Sequence, residues 1–143
     1  MHRVHRVLQR LHLISAPPEA TVFEVARTMT EGRVGAVPIL DGDTIVGIFS
    51  ERDLMQRVVV AGRDPKTTRV SEVMTRDVVT AMPDESVDAS LEKMKRAGCR
   101  HLPVVDGGRV LGVISMRDLL RDELEEQGEE IEHLRAYLHQ PPN

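Results

Sequence analysis

The stretch Val34–Leu54, VGAVPILDGDTIVGIFSERDL, decides the fold because it occurs twice. Sixty-five residues on stands Cys99–Leu119, CRHLPVVDGGRVLGVISMRDL. Both copies read apolar–Pro–apolar–apolar–Asp–Gly, then Gly–apolar–apolar–Ser–x–Arg–Asp–Leu. Pro38, Asp41, Gly42, Gly47, Ser50, Arg52, Asp53 and Leu54 align without a gap on Pro103, Asp106, Gly107, Gly112, Ser115, Arg117, Asp118 and Leu119. A repeat of this length makes the chain an array of two equivalent units.

Within the stretch, Val37–Leu40 is short and apolar, Asp41-Gly42 is a hairpin signal, and Ile45–Phe49 is the return strand. Leu102–Val105, Asp106-Gly107 and Val110–Ile114 repeat the design. Pro38 has no N–H to donate, so it is expected at a strand start or edge. A helix begins at Ser50 and another at Ser115.

Upstream, Thr21 and Glu24 have the spacing of a capping box. Val22, Val25, Ala26 and Met29 then form one apolar helical stripe, and Gly32 stands where a helix stop belongs. In the second copy Pro83 and Ser86 open the helix, Val87, Leu91 and Met94 make the stripe, and Gly98 ends it. Further back, Arg3–Arg10 echoes Arg69–Arg76 as a short helix. His12–Ser15 echoes Asp77–Thr80 as a short strand ending in a hydroxyl. Each unit is thus strand–helix–strand–strand–helix.

The expected architecture is an α+β fold of the α/β type. It has two tandem β-α-β-β-α units packed sheet to sheet about a pseudo-two-fold axis, with an extended C-terminal helix. Unit 1 covers 3–60, a small polar linker 61–68, unit 2 69–122, and a helical tail 123–143. In the tail, Leu120, Leu124, Gln127, Ile131, Leu134 and Leu138 alternate steps of four and three, a heptad seam with one polar position. Most of the tail's glutamates lie off that seam, and Gly128 is a point where it could bend. The helix either folds back on its own domain or packs on a partner chain.

A chain of 143 residues suits one compact domain with an adequate core. The single cysteine, Cys99, excludes an internal disulfide and is consistent with a reducing compartment. No apolar run approaches the roughly 18 residues of a membrane span, and MHRVHRVLQR lacks the apolar stretch of a signal peptide. The expectation is a soluble cytoplasmic protein with no membrane partner. A net charge of −4, two Phe, one Tyr and no Trp disfavour nucleic acid as a partner.

The paired units, carried by Gly35-Ala36-Val37-Pro38 with Gly47–Asp53 and by Arg100-His101-Leu102-Pro103 with Gly112–Asp118, resemble the cystathionine-beta-synthase (CBS) domain in its tandem form. The resemblance covers about residues 3–122, and the chain looks like a small stand-alone bacterial CBS-domain protein. It departs at Arg100, which stands where the first copy has Gly35. The resemblance implies a regulatory sensor of cell energy or redox state that binds an adenine nucleotide (AMP, ATP or NAD) in composite clefts between the units. It also implies a homodimer and a regulated protein as partner. One cleft would comprise Thr80, Cys99, Arg100 and His101 with Ile48, Ser50, Arg52 and Asp53. The other would comprise Ser15, Val34, Gly35 and Ala36 with Ser115, Arg117 and Asp118.

The residue types suit that use. Ser50 and Ser115 stand at helix starts, where free N–H groups favour a phosphate. Asp53 and Asp118 can accept ribose hydroxyls, and Arg52 and Arg117 add positive charge for the phosphate. Arg100 and His101 make the first cleft the more positive. Each has a plainer reading. Ser-x-x-Asp is itself a capping box. Arg100 and Arg117 fit solvated surface charges, His101 a half-buried histidine, and Cys99 a small core residue. His2, His5 and His12 are too loosely spaced for a metal site. There is no phosphate-binding glycine loop, zinc motif or nucleophile–histidine pairing, so no metal, no catalytic cofactor and no enzymatic activity are expected. A ligand-free structural module that docks on an enzyme or transporter is the competing reading.

Overall fold

The structure, a computed structural model, describes residues 3–8 and 13–138. Helix α1 spans Val4–Leu8 and α2 Val22–Gly32; strands β1 (Ala36–Asp41) and β2 (Thr44–Ser50) form the first hairpin. Helix α3 (Glu51–Asp53) continues as π-helical turns through Leu54–Val59, and a short 3-10 turn covers Val70–Glu72. Helix α4 (Val87–Ala97), strands β3 (His101–Asp106) and β4 (Arg109–Ser115), and the long helix α5 (Met116–Leu138) complete the second unit.

The repeat is exact in register. Pro38 faces Ile48 and Pro103 faces Val113, and both hairpins carry a bulge at the same place, Ile39/Leu40 and Val104/Val105. Gly42 and Gly107, just past the aspartates, take φ of +63° and +57°, which the tight turns require. The Thr21–Glu24 capping box forms as the spacing predicts. The left-handed stop of α2, however, falls on Arg33 (φ +55°), one residue after Gly32, whereas α4 stops at Gly98 (φ +67°) as expected.

One expectation about the strands is corrected, and its cause is a proline. The segments ending in Ser15 and Thr80 form no strand within the described residues. Each is reduced to a single parallel bridge just beyond the hydroxyl, Ala16 with Ile39 and Ala81 with Val104. Pro38 and Pro103 sit at the third position of strands that are edges of two-stranded sheets, as expected for a residue without an N–H. Ala16 N–H donates to Pro38 O and Leu40 N–H to Ala16 O; Ala81 pairs in the same way with Pro103 and Val105. The next rung of a parallel ladder would need the N–H of Pro38 or Pro103, which does not exist, so the pairing stops after one residue. The other edge of β2 is occupied differently: Ile48 exchanges both backbone bonds with Thr75.

Two cores result, and each is completed by a short helix from the other end of the repeat. Val70, Val73 and Met74 pack with Val25, Ile39 and Phe49 of the first unit. Val4 and Val7 of α1 pack with Val87, Leu102 and Ile114 of the second. Each fully buried side chain of this size contributes about 1.5–3 kcal/mol, so neither half keeps its core without the exchanged segment. Strand β4 lies against both β1 and β2, which brings the two sheets face to face. The polar linker is a strap: Thr68 O and Pro65 O accept from the first free N–H groups of α2, at Val22 and Phe23. Among the described residues no helix is long and apolar enough to cross a membrane.

Candidate functional site

The repeat places Ser50 and Ser115 where a return strand turns into a helix. Ser50 caps α3: its Oγ accepts from Asp53 N–H at 3.3 Å, and Asp53 Oδ2 accepts from Ser50 N–H at 3.0 Å. Ser115 and Asp118 form the same reciprocal pair at 3.0 Å each way. The plain reading of both motifs therefore holds, and ligand binding has to act on top of it.

The two aspartates differ in surroundings. Asp53 is buried, and its Oδ2 also accepts from Ser50 Oγ at 3.0 Å. Its Oδ1 accepts from Thr75 Oγ1 at 3.1 Å, with Arg57 Nε 3.7 Å away. A carboxylate has about four acceptor positions, so in this arrangement Asp53 keeps about one for a ligand hydroxyl, not the two of a ribose.

Around Asp53 lies a cavity of about 430 Å³ between the two units. Its walls include Ile48, Ser50, Arg52 and Asp53 from the first unit and Cys99, Arg100 and His101 from the second. Thr80 is not among the lining residues; its backbone carbonyl accepts from Lys93 Nζ at 3.0 Å. In its place the hydroxyl of Thr75, five residues earlier, reaches Asp53. Thr75, Arg57 and Glu51 also line the cavity and escaped sequence reasoning. Position 75 corresponds to Gln9 in the first copy, so the repeat held no signal for it.

The cations divide by commitment. Arg52 Nη1 donates to Gly98 O at 3.1 Å, tying the end of one unit's strand–helix turn to the end of α4 in the other. Arg57 Nη1 donates to Val73 O and Met74 O. Arg100 is exposed at the wall, and its guanidinium makes no hydrogen bond or ion pair among the described residues.

His101 is half-buried between the units. A Cβ built on Gly35 would stand 3.0 Å from its Nε2, so the glycine makes room for the ring. Its pKa is held below the ordinary histidine value, chiefly by burial and also by Arg100, against the opposing pull of Glu51 and Asp118. The shift favours the neutral imidazole over the charged one.

Of the second set, Ser15 and Gly35 line different cavities. Ser15 is exposed and lines a shallow groove with Glu19, Glu24 and Thr28 beside α2. Gly35 instead lines the first cavity. Val34 packs against the first core, while Ala36 is buried and paired with Ser50. Arg117 is exposed on α5. Cys99 packs against the second core and also lines the cavity, so both readings of it meet. His2 and His12 lie outside the described residues. His5 Nδ1 is 3.3 Å from Pro83 O, and no group of metal-ligating side chains occurs among the described residues.

The family model for the CBS domain matches residues 4–60 and again 70–125. The chain belongs to the CBS domain family. It is 31% identical over 123 residues to the mitochondrial CBS domain-containing protein CBSX3 of Arabidopsis thaliana, covering 82% of this chain and 60% of that one. The chain thus spans less than two thirds of that relative's length. A solved protein with CBS domains from Burkholderia ambifaria superposes with a TM-score of 0.83 at 34% identity, covering 88% of this chain and 96% of the other. The CBS domain pair of protein MJ0100, solved with 5′-methylthioadenosine and S-adenosyl-L-methionine, superposes with a TM-score of 0.78 at 28% identity, covering 88% of this chain and 98% of that one. The architecture expected from the repeat is the architecture of these CBS pairs.

Proposed function

We propose that this CBS pair is a non-catalytic regulatory module that binds an adenine nucleotide, AMP, ATP or NAD, in the cavity between its units. One observation carries the reading. The cavity around Asp53 is walled by both units, so a ligand there changes how one unit sits on the other. Its volume falls within the roughly 300–1,000 Å³ of small-molecule sites. The bound adenosyl compounds of the MJ0100 pair support the ligand class.

The site chemistry supports a polyfunctional ligand. Arg100 offers donors not committed elsewhere among the described residues, which suits a phosphate. Asp53 Oδ1 offers an acceptor to a ribose hydroxyl, and the apolar stretch of Ile48, Val78, Val79 and Pro103 offers a surface for the base. A ligand seated there also meets the Arg52–Gly98 tie between the units. The module works as a homodimer in the cytoplasm and passes its state to a regulated protein. Calorimetric titration with AMP, ATP, NAD and S-adenosyl-L-methionine tests the reading. Binding of an adenine nucleotide that weakens on Arg100→Ala supports it; no heat and no thermal shift with any of them leaves the ligand-free structural module.

A further inference from the structure

Helix α5 has two faces with different fates. The first runs along Leu119, Asp122 and Glu129. Leu119 and Asp122 are buried in their own domain, and Glu129 reaches Arg6 of α1 at 3.9 Å. The opposite face is the heptad seam. Its apolar members Leu120, Leu124, Ile131, Leu134 and Leu138 are between 48% and 74% exposed, so nothing among the described residues covers them. Among the described residues the tail does not fold back on its own domain through this seam. The family match ends at residue 125, so most of the seam lies beyond the CBS units.

We propose that the α5 seam pairs with the α5 seam of a second copy of this chain as a parallel, in-register two-stranded coiled coil. The charges beside the seam choose the orientation. Written as a heptad, Leu124, Ile131 and Leu138 are a positions, and Leu120, Gln127 and Leu134 are d positions. Glu123 and Glu130 then fall at g, and Arg121 and Arg135 at e. A parallel pair sets g of one helix against e of the next heptad on the other, which joins Glu130 to the second copy's Arg135, twice by symmetry. An antiparallel pair sets g against g and e against e, glutamate on glutamate and arginine on arginine. The polar layer agrees. In parallel register Gln127 meets its own copy and the two amides bond each other, whereas antiparallel register would bury each amide against Ile131. A closed two-fold pairing also consumes the whole seam and leaves no apolar edge to recruit further copies.

This inference rests on the homodimer part of the proposed function and not on the nucleotide. The test uses the full chain. Leu134→Cys, at an exposed position, should form a disulfide-linked dimer under mild oxidation, while the unsubstituted chain, with Cys99 alone, should not. Ile131→Asp should weaken the dimer by at least about thirtyfold in light scattering across a concentration series. Glu130→Arg and Arg135→Glu should each weaken it about two- to tenfold, and the double swap should restore it. The parallel coil is overturned by the absence of a Leu134→Cys cross-link, or by cross-linking only when Leu124→Cys and Leu134→Cys chains are mixed. A dimer unchanged by Ile131→Asp removes the coil but keeps the dimer. A monomeric parent chain removes both. A cross-linked dimer that binds no nucleotide removes only the ligand reading.

Discussion

Replacing Asp53 with alanine separates the work this carboxylate does for the fold from the work it does for a ligand. In the fold it holds Ser50 N–H and Ser50 Oγ on one oxygen and Thr75 Oγ1 on the other, with Arg57 beside it. Losing a helix cap costs about 0.5–2 kcal/mol. Losing hydrogen bonds to a charged acceptor in a buried place costs about 1.5–3 kcal/mol. The two overlap at Ser50, so the expected destabilisation is about 2–4 kcal/mol, or roughly 6–16 °C in Tm for a chain of this size. Asp118 supplies the internal control, since its carboxylate makes only the reciprocal cap with Ser115 and no bond like that of Thr75. Asp118→Ala should cost only about 0.5–2 kcal/mol. The assay is urea or thermal unfolding of wild type and both variants, repeated with AMP at a hundredfold excess over Kd. A ligand bound only to the folded state then adds about 2.7 kcal/mol to wild type. If Asp53 holds a ribose hydroxyl, its alanine variant loses a good part of that gain, while Asp118→Ala keeps it. Adding Thr75→Val to Asp53→Ala should cost much less than Thr75→Val alone, because the bond is already gone. Equal losses for the two aspartates would refute the role given to Thr75. An undiminished ligand gain in Asp53→Ala would leave Asp53 as a structural residue only.

Gly47→Ala should destabilise by about 1–3 kcal/mol, since its Cβ would stand 2.5 Å from Met74 Sδ and 2.9 Å from the backbone oxygen of Thr75. Gly112→Ala, at the same place in the repeat, meets only Leu8 Cδ2 at 3.0 Å and should cost clearly less in the same unfolding assay. The lowered pKa of His101 means the unfolded chain binds more protons than the folded one just below the ordinary histidine value. Its stabilising effect is complete above about pH 6.5 and fades as pH falls through the folded pKa. His101→Gln should flatten that part of the stability–pH curve. Arg100→Ala should lower nucleotide affinity about three- to tenfold and reduce its salt dependence, more than Arg117→Ala does, as read by calorimetry at two ionic strengths.

The sequence by itself determined the repeat and everything local to it. Period-two apolar runs, Asp-Gly turns and Ser or Thr caps are contacts within a few residues, so Thr21–Glu24, Ser50–Asp53 and Gly42 were legible as written. So was the meeting of Ser50 with Arg100 and His101, though only through resemblance to the CBS family. What required the tertiary structure was every pairing between distant segments. The exchange of Val4 and Val70 between cores depends on which apolar face each short helix finds, and periodicity does not name a partner. The missing N–H of Pro38 was visible, but not that it would end a parallel ladder with Ala16, because that neighbour is set by the fold. Thr75 joins Asp53 because the β2 edge pairs with Thr75 through Ile48, a contact for which the first copy offers Gln9 and no hint. The seam on α5 could be read as a stripe, yet only the placement of Leu119, Asp122 and Glu129 showed which way it faces. A helix buries one side against its own domain, and the geometry of that docking leaves the other side to water or to a second chain.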